Sequence, residues 1–372
     1  MKPALPRWAD LALIPALNLI LAFLVAGLVV ISIGEDPVKA VRVLIQGSLG
    51  SSYGIGFTLY YATTFVFTGL AVAIAFHASL FNIGGEGQAA VGGLGVALVC
   101  LMFDWPHWTL ALPAAILGGA LFGGAWAFIP GYLQAKRGSH VVITTIMFNF
   151  IASALVVYLL VNVLKVPGSM APETRNFSEG TFLPFMHEML GAVGITMSRT
   201  PMNLSSILAI IAAFLTWVLI WRTKLGYEIR AFGFSEPAAV YAGINPVKIT
   251  IVVMVMSGAM AGLMGLNVIM GFQHRMVLDF VGGAGFVGIA VALMGRSHPV
   301  GVVLAAILFG ILYQGGAELA FEMPKISREM IVVIQALVIL FTGALENLVR
   351  VPVERLFLMM RSGARPAPGA GE

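Results

Sequence analysis

The amino-acid sequence predicts an all-α protein, a polytopic transmembrane helical bundle of about ten spans arranged as two inverted-topology repeats. Of the 372 residues, 59% are hydrophobic and 10% are charged, whereas soluble domains carry about 25% charged residues. The apolar residues come in blocks of about 20, the length with which a helix crosses a hydrocarbon core of roughly 30 Å. In addition, similar glycine-rich strings open a span in each half of the chain.

Each apolar block is interpreted as one span of a transmembrane domain over residues 11–349. The first block follows two basic residues, but it is about twice as long as the apolar region of a signal peptide and lacks a small-residue cleavage site, so we expect a retained helix. The predicted spans are 11–33, 56–76, 81–103, 109–134, 140–164, 204–221, 248–271, 280–295, 299–320 and 330–349.

An even number of spans places both termini on one side of the membrane. If that side is the cytoplasm, the inner segments hold 13 of the 21 basic residues, including the compact clusters. The positive-inside rule therefore predicts a cytoplasmic N-terminus, 1–10, a cytoplasmic loop, 222–247, and a cytoplasmic tail, 350–372. Residues 165–203 then form an external segment that several prolines interrupt.

The composition also excludes some classes of site. The single cysteine, Cys100, lies in an apolar stretch, so neither an intrachain disulfide nor a cysteine metal cluster is expected. The basic residues lie between the apolar blocks and not on one soluble face, which argues against a nucleic-acid partner.

The internal repeat bears on mechanism. The string Gly84–Gly92, which enters the third span, resembles Gly282–Gly288, which enters the eighth. In the predicted topology the two spans run in opposite directions. Glycine-interrupted segments at matching places in oppositely oriented halves point to a solute path near the middle of the membrane.

Residues 81–88, with the sequence FNIGGEGQ, combine polar side chains with glycine at the edge of an apolar span. A lone carboxylate there, Glu86, is costly unless it meets a partner, a proton or water. The glycines allow the backbone to leave helical geometry. Two interpretations stay open: Asn82, Glu86 and Gln88 line a path for a polar solute, or they form a buried elbow in which Glu86 accepts backbone hydrogen bonds.

Further polar residues recur within the spans. Thr145, Asn149 and Ser153 follow one another at intervals of four and therefore share one face of the fifth span. Thr64 lies on the second span and Asn267 near the outer end of the seventh. Such side chains can hydrogen-bond a solute, and they are equally ordinary contacts between membrane helices.

Two pairs of glycines spaced by four, Gly119/Gly123 and Gly258/Gly262, predict close helix packing.

The loop over residues 222–247 contains signals for one short helix of about two turns. Ser235 offers an N-cap, Pro237 suits the first turn, and Gly243 with Pro246 marks the end. A small helix of this kind suits a groove in a partner protein, and a solvated connector is the alternative.

Three strings carry a family resemblance: Leu80–Gln88, His140–Ala152 and Gly226–Gly243. They resemble the permease subunits of bacterial ATP-binding-cassette importers, in the branch that holds the ribose and branched-chain amino-acid permeases. Within it the chain is most similar to nucleoside permeases that work with basic-membrane-protein-type binding lipoproteins. Ribose-type permeases usually carry an aspartate-containing string at the first position, which favours nucleosides over free sugars. The resemblance covers most of the chain apart from its ends.

The resemblance implies a multi-pass protein of the bacterial inner membrane, with both termini cytoplasmic, that is not itself an enzyme. Its partners would be the bilayer, a cytoplasmic ATPase that binds ATP and Mg, a second related permease chain or a second copy, and an extracytoplasmic solute-binding lipoprotein. No P-loop string occurs in this chain, in agreement with a separate ATPase and with no cofactor here.

The resemblance also implies residue roles, although a proline interrupts the family's coupling-helix signature here. The residues expected to couple to the ATPase are Glu228, Arg230, Glu236, Ala238, Ala239 and Gly243. The residues expected along the solute path are Asn82, Glu86, Gln88, Thr145, Asn149, Ser153 and Asn267.

Two other functional classes are considered. An ion-coupled secondary transporter of a polar metabolite is the main alternative, because inverted repeats and a membrane carboxylate suit it equally. A secondary transporter needs no docking helix, so the loop 222–247 distinguishes the two. An intramembrane enzyme would need paired aspartates, His-Glu-x-x-His or serine with histidine, and the six histidines show no such spacing.

Overall fold

The computed structural model describes residues 13–341 and 346–363, together with Pro6 and Ala9. Over these residues the chain forms fifteen α-helices and no β-strand beyond three isolated bridges. The prediction of an all-α helical bundle is confirmed. Most of the predicted N-terminal segment, 1–10, and the end of the predicted tail, 364–372, lie outside the described residues.

The helices follow the predicted spans closely in the first half. They are α1 (Ile14–Ser32), α2 (Pro37–Leu49), α3 (Ser52–Phe76), α4 (Gly85–Met102), α5 (Trp108–Arg137) and α6 (Val141–Leu159), which continues into a π-helical stretch, Leu160–Leu164. The second half contains α7 (Met186–Ala192), α8 (Ser205–Arg222), α9 (Lys224–Phe234), α10 (Glu236–Tyr241), α11 (Pro246–Gly262) with a later π-helical stretch, Leu266–Gln273, α12 (Ala284–Met294), α13 (Pro299–Glu322), α14 (Arg328–Ile339) and α15 (Glu346–Gly363).

Eight of the described helices are long and apolar enough to cross a membrane. They are α1, α3, α4, α5, α6 with its π-helical continuation, α8, α11 with its π-helical continuation, and α13. Each coincides with one of the ten predicted spans.

The other two predicted spans are shorter helices in the structure. The span predicted at 280–295 is α12, with 11 residues and a length of about 16 Å. The helix begins at Ala284 and not at residue 280, because Asp279, Gly282 and Gly283 have positive φ angles of 55°, 56° and 82°. The span predicted at 330–349 corresponds to α14, with 12 residues, and residues 342–345 lie outside the described part.

Four helices were not predicted, namely α2, α7, α9 and α15. Helix α2 begins where the Asp36 carboxylate accepts the Val38 N–H at 2.8 Å, with Pro37 in the first turn. The loop 222–247 contains two helices and not one, so that prediction is corrected. The additional helix, α9, is capped by Thr223, whose hydroxyl accepts the Gly226 N–H at 3.0 Å. The predicted helix is α10, capped by Ser235.

The two glycine pairs lie against each other where α5 packs on α11. A Cβ atom built on Gly123 of α5 would lie 2.3 Å from the Gly258 carbonyl oxygen of α11, and one on Gly262 would lie 2.2 Å from the Gly119 carbonyl oxygen. The backbones of α5 and α11 therefore touch, which only glycine permits at these positions. The predicted close packing is confirmed.

The chain divides into two compact units. One comprises residues 1–44 and 316–372, where α1 packs on α14 and α15 and Lys325 pairs with Glu35 at 3.3 Å. The other comprises residues 45–315. Its centre is α3, whose side chains are buried along most of its length against α8, α11 and α12. The candidate site described below lies in this larger unit.

Candidate functional site

Two helix N-termini meet inside the larger unit. Glu86 lies in the first turn of α4, and its two carboxylate oxygens accept the N–H groups of Gly283 and Gly285 at the start of α12, each at 2.8 Å. A Cβ atom built on Gly285 would lie 2.2 Å from the Glu86 backbone nitrogen, so the two chains are in backbone contact. A carboxyl group suits this position because unpaired N–H groups and the helix dipole favour an acceptor at an N-terminus. Glu86 thus caps a helix other than its own.

From this meeting point α4 and α12 run in opposite directions. The end of α4 reaches the segment 165–203, where the Arg175 guanidinium donates to the Leu101 carbonyl oxygen at 2.9 Å. The chain just after α12 reaches the opposite face, where the His77 ring donates to the Ser297 carbonyl oxygen at 3.0 Å. The two glycine strings identified in the sequence are therefore neighbours, related as inverted repeats require.

A pair of side-chain amides fixes the chain segment around Glu86. Asn82 Nδ2 donates to Gln88 Oε1 at 2.9 Å, and Gln88 Nε2 donates to Asn82 Oδ1 at 3.1 Å. Asn82 also accepts the Gly84 N–H at 2.9 Å and donates to the Ser257 hydroxyl at 2.8 Å. Both amides are 1% exposed. They form the buried elbow that positions the start of α4.

Helix α6 supports the chain segment at the start of α4. Asn149 Oδ1 accepts the Gly87 N–H at 2.9 Å, and Asn149 Nδ2 donates to the Ile83 carbonyl oxygen at 3.0 Å. One side chain therefore satisfies two backbone groups where the glycines have interrupted the helix. Thr145, one turn earlier, donates only to the Val142 carbonyl oxygen of its own helix, at 3.1 Å.

A cavity of about 270 Å³ adjoins Glu86. Its polar lining comprises Glu86, Asn149, Ser153 and Asp279, and its apolar wall includes Val156, Val157, Leu278, Phe280 and Val281. Two carboxyl groups and a hydroxyl offer hydrogen-bond acceptors, while no Lys, Arg or His of the described part of the chain lines the space. This chemistry suits a neutral solute with several donors better than an anion.

The predicted path residues separate into three groups. Glu86, Asn149 and Ser153 line the cavity, whereas Asn82, Gln88 and Thr145 lie in the wall behind it. Asp279 lines the cavity but was not predicted, because a charged residue in a polar connection carries no signal in the sequence.

Asn267 belongs to a separate buried cluster. Its Nδ2 donates to the Tyr60 carbonyl oxygen at 3.0 Å and to the Thr64 hydroxyl at 2.8 Å, and its Oδ1 accepts from Ser205 at 2.8 Å and from Asn203 at 3.1 Å. These contacts join α3, α8 and the π-helical end of α11. The structure thus gives Asn267 a place between helices and not in the lining of the cavity.

The predicted coupling residues lie on or beside α9 and α10. Glu228 pairs with Lys224 at 3.8 Å, and Arg230 is partly buried. Ala239 is buried at 3% exposure and anchors α10 to a core cluster, whereas Glu236, Ala238 and Gly243 are exposed.

Two large apolar side chains beside the coupling residues were not predicted to matter. Phe234 is 95% exposed and Tyr241 is 96% exposed, at the two ends of α10. They give both ends of α10 exposed apolar surface.

Two histidines just beyond the ends of spans have a perturbed protonation equilibrium. Burial lowers the pKa of His77, and the neighbouring Arg230 lowers it further, although the bond to Ser297 acts in the opposite direction. Burial also lowers the pKa of His274, whose ring stacks on Phe182 at a centroid distance of 3.7 Å. With the Glu173–Arg275 pair at 3.2 Å, this stack fixes the segment 165–203 to the chain that leads to Asp279.

Comparison with known proteins identifies the family. The model of the branched-chain amino acid transport system permease component matches residues 54–343. This chain belongs to that family. The chain is therefore the membrane-spanning permease subunit of a transport system, a multi-pass membrane protein.

Three relatives match the permease along most of both chains. The guanosine ABC transporter permease protein of Bacillus subtilis is 36% identical over 89% of this chain and 93% of its own length. The glucose ABC transporter permease protein of Haloferax volcanii is 33% identical over 91% and 89%. The nucleoside ABC transporter permease protein of Lactococcus lactis is 31% identical over 88% and 90%.

Proposed function

We propose that this permease imports nucleosides, as the membrane subunit of an ATP-driven importer. The observation that carries the proposal is the cavity where the N-termini of α4 and α12 meet, with the carboxyl groups of Glu86 and Asp279 on a wall that also offers apolar surface. Relatives named for guanosine and for nucleosides, at 36% and 31% identity, support the choice of solute.

The chemistry of the cavity fits a nucleoside. Ribose hydroxyls donate hydrogen bonds, and Glu86, Asp279 and Ser153 offer oxygens that accept them. The apolar wall around Phe280 gives a base a surface to pack on. A free sugar is the second candidate, because it uses the same acceptors and because the relative named for glucose is 33% identical.

Within this proposal the predicted path residues have distinct roles. Glu86, Asn149, Ser153 and Asp279 face the solute. Asn82, Gln88 and Asn267 hold the helices that form the path, through the hydrogen bonds described above, and Thr145, which bonds only within α6, packs behind the cavity.

The energy would come from a separate cytoplasmic ATPase that binds ATP and Mg and receives α10 in a surface groove. The exposed Phe234 and Tyr241 support this docking, since no element of the described part of the chain covers either ring. On this assignment α9, α10 and both termini face the cytoplasm of a bacterial cell, and the segment 165–203 faces the solute-binding lipoprotein. A second related permease or a second copy would complete the membrane unit.

The solute is tested by uptake. Cells that lack their own nucleoside importers and express this permease with its ATPase and binding protein should accumulate tritiated adenosine, with unlabelled guanosine competing and unlabelled glucose not competing. Competition by glucose and not by guanosine would replace the nucleoside with a sugar. Accumulation by vesicles that contain this chain alone would contradict the dependence on an ATPase.

The docking surface is tested separately. Tyr241→Asp should reduce uptake by more than tenfold, because burying a charge in an apolar groove costs about 2–4 kcal/mol, while the amount of permease in the membrane stays unchanged. The matched control is Tyr241→Phe, which keeps the exposed ring and adds no charge, and its uptake should stay near the wild-type level. Normal uptake with Tyr241→Asp would argue that α10 is only a connector.

A further inference from the structure

A second and larger cavity lies near the segment 165–203, and we call it the vestibule. It measures about 580 Å³ and is bounded by the start of α3, the chain around α7 and the end of the π-helical stretch after α11. The residues that carry the argument are Tyr53, Phe57, Phe185, His187, Thr200 and Phe272. Its size falls within the range of small-molecule sites, about 300–1,000 Å³.

Aromatic rings supply much of the vestibule's surface. Tyr53 and Phe57 pair at a centroid distance of 4.7 Å, and Phe185 and His187 stack at 5.5 Å with an interplanar angle of 27°. Phe272 adds a ring that is 42% exposed. Flat aromatic faces on several sides of one space suit a planar ring, which gains stacking contacts whatever its substituents.

Two buried polar atoms in the vestibule lack a hydrogen-bond partner. The Thr200 side chain is buried at 5% exposure, and neither its hydroxyl oxygen nor His187 Nδ1 meets a partner among the described residues. Buried polar atoms are normally paired. Both atoms are enclosed by protein, so a ligand in the vestibule would pair with either of them once that side chain turns toward it. A hydroxyl and a ring nitrogen together can serve both donors and acceptors on a ligand.

The charges around the vestibule balance. Glu188 and Arg199 both line it, and the Glu188 carboxylate already accepts the Phe185 N–H at 3.3 Å. The aromatic surface and the unpaired hydroxyl therefore decide the ligand class, and they favour a neutral molecule.

We propose that the vestibule binds a neutral heteroaromatic ring of the nucleobase class, as an entry subsite that receives the solute before the cavity beside Glu86. This inference rests on the proposed function, since it assigns a place to the base of the imported nucleoside. One stretch of chain contributes to both cavities. Phe272 lines the vestibule, and Leu278 to Val281 line the inner cavity six to nine residues later. Between them the His274 ring contacts Phe185 edge-on at 5.9 Å.

Binding of free adenine separates the vestibule from the inner cavity, because adenine lacks the ribose that the inner carboxyl groups would hold. Purified full-length permease in lipid nanodiscs should bind one tritiated adenine and two tritiated adenosines per chain in equilibrium dialysis. Phe57→Leu and the nearly isosteric Thr200→Val should each weaken adenine binding by about tenfold. Glu86→Ala should leave adenine binding unchanged and remove one of the two adenosines.

The matched control is Phe214→Leu, because the Phe214 ring is 60% exposed on α8 and lines neither the vestibule nor the inner cavity. It should leave adenine binding unchanged. Nucleoside uptake without adenine binding, or adenine binding insensitive to both Phe57→Leu and Thr200→Val, would overturn the vestibule site alone. Adenine binding that the two variants weaken, in a protein that takes up no nucleoside, would support the vestibule and overturn the proposed function instead.

Discussion

Replacing Glu86 with alanine removes the cap of a helix that begins inside the membrane domain. The Glu86 carboxylate accepts two N–H groups of α12, both at 2.8 Å. A hydrogen bond to a charged group contributes about 1.5–3 kcal/mol in water-soluble proteins, whereas side-chain bonds between membrane helices contribute about 0.6–1.7 kcal/mol. We therefore expect Glu86→Ala to cost about 2–4 kcal/mol at the meeting point of α4 and α12. This range corresponds to a factor of about 30 to 1,000 in the population of the capped arrangement.

The glutamine variant separates the shape of the side chain from its accepting capacity. Glu86→Gln retains one oxygen acceptor and places an NH₂ group where the second acceptor was, so it should lose about half of the stabilisation, about 1–2 kcal/mol. Uptake of tritiated adenosine, normalised to the permease in the membrane fraction, should fall by more than tenfold in Glu86→Ala and by less in Glu86→Gln. Thermal unfolding of the purified variants should follow the same order.

Asp36→Ala is the matched control. The Asp36 carboxylate also accepts a backbone N–H at 2.8 Å, but it is exposed at the start of α2, and water replaces it at a cost of about 1 kcal/mol. Its uptake should stay near the wild-type level. Wild-type uptake and wild-type thermal stability in Glu86→Ala would refute the reasoning, because they would show that α12 keeps its position without this cap.

Three further predictions concern residues that hold the helices and loops around the site in place. Gly123→Ala should lower the stability measured by thermal unfolding by about 1–3 kcal/mol, because its Cβ has no room beside α11, while Gly191→Ala, with no atom within 4 Å, should leave stability unchanged or slightly raised. Asn267→Leu should cost about 1–3 kcal/mol because it leaves several buried groups unpaired, whereas Thr145→Val should cost about 0.5 kcal/mol and leave adenosine uptake unchanged. Burial lowers the pKa of His274 in the folded protein, so the unfolded chain binds the proton first as the pH falls below about 6.5. Thermal stability should therefore decrease as the pH is lowered through this range. His274→Phe should make thermal stability less dependent on pH there.

The positions of the long helices could be predicted because span length and apolar composition are local properties of the sequence. The late start of α12 could not, because it depends on Asp279 adopting a left-handed conformation with φ of 55°, which the residue type permits but does not require. It depends equally on Glu86, almost 200 positions away in the chain, which supplies the acceptors. A helix whose N-terminus is capped by a distant side chain has no complete signal in its own sequence.

The directions in which the polar side chains of the site point could not be predicted from the sequence either. Asn82, Glu86 and Gln88 stand within seven positions and look equivalent in the sequence, since each is polar at the edge of an apolar block. In the structure two of them satisfy each other and are 1% exposed, while the third turns to the cavity. The sequence could identify the elbow as unusual, but the direction of each side chain depends on which partner, Ser257 or α12, lies on that side of the turn.

If α10 docks on the ATPase as proposed, helix α12 is the element through which force on α10 would reach the solute, because one segment of chain holds it at both ends. Glu86 binds its N-terminus, and the His77 ring binds Ser297 just beyond its C-terminus. Between His77 and Glu86, the Ser79 hydroxyl donates to the Gly233 carbonyl oxygen of α9 at 2.7 Å. A displacement of α9 and α10 therefore pulls on the segment 77–86, and α12, at 11 residues, is short enough to follow as a rigid body. Since Asp279 lies directly before α12 and Glu86 is bonded to its N-terminus, such a shift would move both carboxyl groups relative to Ser153 of α6, which changes the fit of a solute held between them.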